Sequence, residues 1–573
     1  MAITLETAKE HANDAAVSCC RFEAGTIIGP EHLEDPVIFS DLEESGLLTI
    51  PEDCCTVGQI LGAKLIKTID SLTPITSEYV DIPQGTQFTQ KKESSSVVNG
   101  QNITIHIGEG KDIRLSFPIG AINLTEPMLT EDAPINTCKP KVLRTLKKKH
   151  FKIDKVLFGD ETKIEGTTLT LRHAADLCKE AINLEELVVD LKLDIITSDR
   201  YNEYSETIMD VQPIACKENG ELGTGITRVL DGVVFVVTGI DENGVQIGEF
   251  GSSEGEMDKN IMWGRPGAPD KGDILIKTQV TIKAGANMER PGPLAAHTAS
   301  DYITDEIRKA LRKAESPILA FEEDLAQTRR PGKLRVVIIK EVMGQGAMHD
   351  NLILPTEPAG TLGAKPNVDL GNLPIMLSPL EVLDGGIHAL TCIGPASKEC
   401  SRHYFREPLV LEAVKDEEID LVGVIFIGSP QANSEKFYVS KRLGMMVEAL
   451  NVDGAIVTTE GFGNNHIDFA SHIEQIGERG INVVGVTYSA VQGALVVGNK
   501  YMKYMVDVNK SEQGIENEIL SNNTLCHEDA VRAMCMLKTA ISGEQIKSAE
   551  KKWNPDIVKN NHEAIKRYMY GAE

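Results

Sequence analysis

From Leu334 onward, apolar and polar positions follow a repeating order. Strand-length runs of aliphatic and β-branched residues, KLRVVIIKEV, DLVGVIFIG, DGAIVTTEG and INVVGVTYS, alternate with stretches such as SEKFYVSKRLGMMVEAL and NNHIDFASHIEQIGERG, whose apolar residues return at helical spacing. Strands without a polar face are those covered on both sides, so residues 331–573 are predicted to form an α/β domain with a mainly parallel sheet. The chain before this reads differently. Residues 1–80 mix short helical and strand signals, with TVGQILGAKLIKTID at helical spacing. In 81–150, the alternating runs NITIHI and IRLSFPI, bounded by Asn-Gly and Gly-Glu-Gly, predict hairpins in a small β-rich module that ends in a basic connector. Residues 151–330 form a β-rich central domain. It includes the buried strand GVVFVVTGI and the irregular loop GRPGAPDKGD, and ends in the amphipathic helix DYITDEIRKALRKAE, with Tyr302, Ile303, Ile307, Ala310 and Leu311 on one side. The expectation is a mixed α/β multidomain chain: small β-rich N-terminal modules followed by a C-terminal α/β domain.

Length agrees with several domains, since 573 residues exceed what one core organises. A net charge of −27 repels phosphate backbones and anionic membranes, and aromatics at 5% provide few stacking platforms, so no nucleic-acid partner is expected. Lys139, Lys141, Arg144, Lys147, Lys148 and Lys149 read as a solvated connector. The start MAITLETAKEHANDAAV does not resemble a signal peptide, and no run of ~20 apolar residues offers a membrane span. The cytoplasm is the expected compartment, with the eleven cysteines reduced. Cys19-Cys20 and Cys54-Cys55 lack the C-x-x-C spacing and read as structural, so no metal is predicted. No nucleotide is predicted either: GQGAMHDN, Gly344 to Asn351, misses the third glycine of a dinucleotide loop, and His349 and Asp350 read as turn residues. Gly461, Gly463, Asn464, Asn465, His466 and Asp468 fall where a strand ends, the usual ligand crevice of such sheets. Neither G-x-S-x-G nor H-E-x-x-H occurs, and Cys526-His527 is assigned no role.

One dipeptide carries chemistry of its own, Thr391-Cys392 in HALTCIGPASKECSRHYFREP. A cysteine after IHALT is ordinarily a small hydrophobe on a buried strand. Its company differs: Gly385-Gly386 before it and Gly394-Pro395 after it permit a tight turn in which the thiol reaches the preceding carbonyl. Attack on the Thr391 carbonyl would shift the acyl group from nitrogen to sulfur. Elimination across Cα–Cβ of residue 392 would leave dehydroalanine, which hydrolyses to ammonia and a pyruvoyl group. The chain would separate into 1–391 and 392–573. His388 and His403 are candidates for processing or proton transfer.

The opening through GQILGAKL, the segment MGQGAMHDNLILPTEPAG and HALTCIGPASKECSRHYFREPLV together resemble the D-proline reductase proproteins along essentially the whole chain. The last two segments resemble, more loosely, the pyruvoyl-forming component B subunits of glycine, sarcosine and betaine reductases. The resemblance implies cleavage between Thr391 and Cys392, with Cys392 the pyruvoyl precursor. Thr137-Cys138 lacks the Gly-Pro follower and is set aside. It also implies reductive opening of the D-proline ring to 5-aminovalerate with electrons from a dithiol-type donor. A secondary amine adding to a ketone gives nitrogen the character of a leaving group. The implied partners are a subunit carrying selenocysteine or cysteine and an electron-donating protein, within a hetero-oligomer. Arg402 and Arg406 are candidates for the substrate carboxylate, and Cys400 is a conceivable resolving thiol. The alternatives are a component B subunit for another substrate, or an uncleaved scaffold paralogue with Cys392 inert.

Overall fold

The computed structural model describes residues 3–81 (except 20, 21, 40, 41, 43–47, 52, 70 and 71), the backbone of 102–107 and 113–118, and residues 139–247, 254–286, 291–342, 352–361 and 374–390. It further describes 399–489 (except 431 and 460–462), 495–511 (except 496), 519–544 and a few positions after 554. Residues 3–81 hold little regular structure and are tied together by isolated bridges such as Ala15 with Thr56 and Val17 with Pro74. The helical spacing of TVGQILGAKLIKTID is realised for one turn only, Val57–Ile60. Gly62, at φ +83°, takes the left-handed conformation that ends a helix, and Lys64–Leu65 then pairs with Val80–Asp81. The two alternating runs form the expected antiparallel pair, Asn102–Ile107 with Ile113–Pro118.

The basic stretch is a strand, not a connector. The central strands are β1 (Lys141–Lys152), β2 (Val188–Ile196), β3 (Ile208–Gln212), β4 (Ala215–Asn219), β5 (Gly225–Asp231), β6 (Val233–Asp241), β7 (Ile274–Ile282) and β8 (Leu319–Arg329). They build two four-stranded sheets, ordered β4-β5-β1-β8 and β3-β6-β7-β2. Cross-strand carboxylates explain the correction. Lys147 bonds Glu322 and Asp324 of the neighbouring β8, and Lys149 bonds Glu218, so charges that look solvated in sequence are matched across the sheet. Helix α1 (Pro291–Lys313) lays Ala295, Ala299, Ile303, Ile307 and Leu311 against Phe235 and Val237 of β6 and Ile276 and Val280 of β7.

The last region carries β9 (Leu334–Val342), β10 (Ile375–Leu377), β11 (His388–Ala389), β12 (Ile419–Gly428), β13 (Gly454–Thr459), β14 (Asn482–Thr487) and β15 (Met505–Asp507). Six of these form one sheet ordered β10-β12-β9-β13-β14-β15, parallel except at the β10 edge. Both faces are covered, as the unbroken apolar runs predict. Val336 and Ile338 face α3 (Pro408–Lys415), which follows α2 (Ser401–Phe405), while Val337 and Ile339 face α4 (Asn433–Ala449) and α5 (Asn465–Gly477). The chain enters at the centre, adds β12 on one side of β9, and crosses to β13 on the other. Strand β9 is therefore flanked on both sides by strands that follow residue 392.

Candidate functional site

Thr391, Cys392 and the rest of 391–398 lie outside the described residues, as do Thr137-Cys138, His349, Asp350 and Gly461. The two ends of 391–398 are described, and they meet. The Ala389 N–H donates to Ser401 Oγ at 2.9 Å; the Ser401 hydroxyl and N–H in turn donate to Asp210 Oδ2 and Oδ1 at 2.7 and 2.8 Å. These groups are buried, so the bonds close a loop whose ends cannot part without stranding polar atoms.

On the near side of the loop, β11 carries His388 into a buried cluster with Asp210 of β3 and His297 of α1. His388 Nδ1 donates to Ala359 O at 2.7 Å and His297 Nδ1 to Pro293 O at 2.8 Å. Both Nε2 atoms thereby turn toward Asp210 Oδ2, at 4.0 Å from His388 and 3.5 Å from His297. Burial, reinforced by His297, pushes the His388 imidazole down to about 4. For Asp210, burial works against ionisation, but His297, His388 and Ser401 hold its carboxyl below the usual range.

Beyond the loop, Glu399 anchors on the C-terminal half of β9. Lys340 Nζ lies 2.8 Å from Glu399 and 2.9 Å from Glu407, and His403 Nε2 faces Glu399 at 3.3 Å. All four side chains are buried. Burial disfavours every charge, but mutual attraction wins: Lys340 and His403 are held above their ordinary ranges, and Glu399 and Glu407 below theirs. The sign of the pH effect follows. The carboxylates contribute stability above about pH 4.5 and lose it as pH falls through their depressed folded values. The His403 share is fully present below about pH 6.5 and is lost as pH rises through its raised folded value. Thermal denaturation is expected to show a steeper decline from pH 6.5 to 9 in the unmodified protein than in a His403→Gln variant; parallel curves would contradict a charged His403.

The sequence candidates thus divide between two clusters, His388 in one and His403 in the other. Arg402 and Arg406 reach the loop 265–273. Arg402 bonds Asp273 at 2.8 Å and Asp270 at 2.9 Å, while Arg406 bonds Asp270 at 2.9 Å and the carbonyls of Arg265, Pro266 and Ala268. Both also line a cavity of about 220 Å³ with Lys148, His150, Glu323 and Asp270. Lys148 Nζ donates to Phe405 O at 3.1 Å and sits 3.8 Å over the Phe405 ring, and burial holds its ammonium below the ordinary range. Cys400 is buried, its thiol donating to Gly267 O at 2.9 Å.

A third polar group lies at the carboxyl ends of β12 and β13, where the crevice is expected. Lys436 and Ser429 both bond Asp468, and burial raises the Asp468 carboxyl to about 6. His466 meets Thr487 Oγ1 at 3.0 Å. Asp210, His297 and Lys340 escape a motif search because their partners are distant in sequence. A signal was present nonetheless: a Lys-Glu pair inside KLRVVIIKEV and an aspartate inside IMDVQ are charges in strands too apolar to face water.

The family of glycine/sarcosine/betaine reductase component B subunits matches residues 144–495. The chain is 63% identical to the D-proline reductase proprotein PrdA of Acetoanaerobium sticklandii, over 99% of this chain and 95% of that protein. It is 28% identical to the sarcosine reductase complex component B subunit alpha of Peptoclostridium acidaminophilum, over 27% of this chain and 35% of that protein. To the glycine reductase complex component B subunits alpha and beta of A. sticklandii it is 23% identical, over 60% and 79%. No solved structure matches the chain.

Proposed function

Because the chain belongs to the family of the D-proline reductase proprotein and the glycine/sarcosine/betaine reductase component B subunits, we propose that it is the proprotein of the pyruvoyl-bearing subunit of a D-proline reductase. The reaction is reductive cleavage of the ring C–N bond of D-proline to 5-aminovalerate, taking up two electrons and two protons. The observation that carries this reading is likeness over nearly the full length of both chains, together with Thr391-Cys392 in a segment whose ends are fixed by Ser401 and Glu399.

The precursor step uses the chain's own atoms. The Cys392 thiol adds to the Thr391 carbonyl, and the peptide C–N bond breaks to give a thioester and a free amine at residue 392. Loss of the Cα proton and the Cβ–S bond releases the 391-residue piece as its thiocarboxylate and leaves dehydroalanine on the other. Water then replaces its nitrogen, released as ammonia, and the ketone remains. His388 and His403, one on each side, are the candidates for moving these protons. Adjacency in the chain makes the attack intramolecular, and the bonds at Ala389 and Ser401 fix the backbone on either side of the segment.

A pyruvoyl carbonyl supplies an electrophile that takes up the ring nitrogen and turns it into a leaving group. Arg402 and Arg406, lining the cavity with Lys148, are the cations proposed to meet the substrate carboxylate, in competition with Asp270. The nucleophile that attacks Cα is assigned to a separate subunit with selenocysteine or cysteine, reduced by an electron-donating protein. The complex components among the relatives support a hetero-oligomer. Among the described residues no helix is long and apolar enough to cross a membrane.

Borohydride with isotopically labelled D-proline tests the reading. Label is expected on the 182-residue piece beginning at position 392, and label retained from glycine or sarcosine instead would move the chain to the other branch. Strand β9 of the larger piece lies between β12 and β13 of the smaller. The two pieces are therefore expected to co-elute in gel filtration and to part only in denaturant; separation in native buffer would contradict this topology.

A further inference from the structure

We propose that Asp210, His297 and His388, with Gln212, hold a divalent transition-metal ion of the zinc or ferrous class. Two imidazoles and a carboxylate within 4.8 Å of one another, all fully buried, are a ligand set for such ions. Each histidine gives its Nδ1–H to a backbone carbonyl, Pro293 O or Ala359 O. That arrangement fixes the tautomer and leaves the Nε2 lone pair for a metal. The Nε2 atoms lie 3.5 and 4.0 Å from Asp210 Oδ2, within the ~4.2 Å that two bonds of ~2.1 Å to one ion can span.

As an ordinary ion pair the cluster is poorly made. His297 Nε2 has no hydrogen-bond partner, and 3.5 Å is well beyond the ~2.7–2.9 Å of a charge-assisted bond. Asp210 accepts from Ser401, but neither imidazole nitrogen stands at charge-assisted distance from it, and a divalent ion between them would pair the carboxylate and both lone pairs at once.

Gln212 is a second, independent observation. It lies two residues from Asp210 on β3, fully buried, with its amide nitrogen 3.5 Å from His388 Nε2 and its Oε1 without a partner. Exchanging the amide's nitrogen and oxygen, which leaves its shape unchanged, turns that orphan oxygen toward the cluster as a fourth ligand. No spacing in the sequence announces the site, because its ligands come from β3, α1 and β11.

The ion would tie these elements to the loop's ends, since Asp210 also holds Ser401. It assigns His388 to metal binding and leaves His403 as the proton-transfer candidate. The inference does not depend on how Thr391-Cys392 reacts. Full-length protein purified without chelator and assayed by plasma mass spectrometry is expected to carry about one zinc or iron per chain. Asp210→Asn and His297→Ala are each expected to lower that content at least tenfold. Unchanged content in folded variants would overturn the proposal. So would unmodified protein that is metal-free as purified and takes up no Zn²⁺, Fe²⁺ or Co²⁺. Should these variants fail to fold, the near-ultraviolet and visible spectrum of Co²⁺-loaded protein is read in unmodified and Glu399→Gln forms: nitrogen and oxygen ligation, unchanged by Glu399→Gln, is expected, whereas a thiolate charge-transfer band or loss of the spectrum in Glu399→Gln would place the ion elsewhere and sink the assignment.

Discussion

Replacing Cys392 with alanine is expected to leave the chain in one piece and to abolish D-proline reduction, a loss of more than about 10⁴-fold, equivalent to ~5 kcal/mol or more of transition-state stabilisation. Alanine has no nucleophile for the Thr391 carbonyl and no leaving group at Cβ, so neither cleavage nor the ketone can follow. Folding should persist, because Ser401–Asp210, Ser401–Ala389 and Glu399–Lys340 hold the flanking backbone without the thiol. Cys392→Ser is the informative contrast. A hydroxyl can make the analogous acyl shift to oxygen, but it is a weaker nucleophile, so slow cleavage at the same bond is expected, with 1–391 released as a carboxylate in place of the thiocarboxylate. Denaturing electrophoresis and 5-aminovalerate formation check both; a whole Cys392→Ala chain that still reduces proline would remove the carbonyl from the reaction.

The second large effect concerns Lys340. Replacing it with methionine leaves Glu399 and Glu407 buried with only His403 between them, and breaking a buried ion network from one side costs about 3–5 kcal/mol. For a domain of this size that is a fall in Tm of about 10 °C, and cleavage should slow because Glu399, the first described residue after the loop, loses its anchor. Neutralising both partners as well, in Lys340→Met with Glu399→Gln and Glu407→Gln, is expected to recover much of the stability, since the penalty comes from unpaired charge and not from lost attraction. Calorimetry of the single and triple variants reads this directly. Equal losses in both would show that the network contributes packing alone.

Much of the fold is legible because its cause is local. The runs beginning at KLRVVIIKEV announce a sheet covered on both faces, and the alternation in NITIHI and IRLSFPI announces an antiparallel pair; both patterns are fixed by the period of the side chains. The basic strand β1 was not legible, since its lysines are explained by Glu322 and Asp324 of β8, 175 and 177 residues away from Lys147. The same holds for the site. Thr391-Cys392 stands out through adjacency and its glycines, whereas Asp210, His297 and Lys340 gain meaning only when separate elements bring them beside His388 and Glu399. Their one local trace is a charge in an apolar strand, or a histidine on the covered face of a helix, which predicts a buried partner without naming it.

The intact mass of protein purified from cells that produce the whole reductase tests the central claim most directly. Two polypeptides are predicted, of 391 and 182 residues, the smaller about 20 kDa of the 62.5 kDa whole and blocked at its amino end by a ketone that borohydride reduces. A single 573-residue chain in active material, with a free thiol at position 392, would contradict the account.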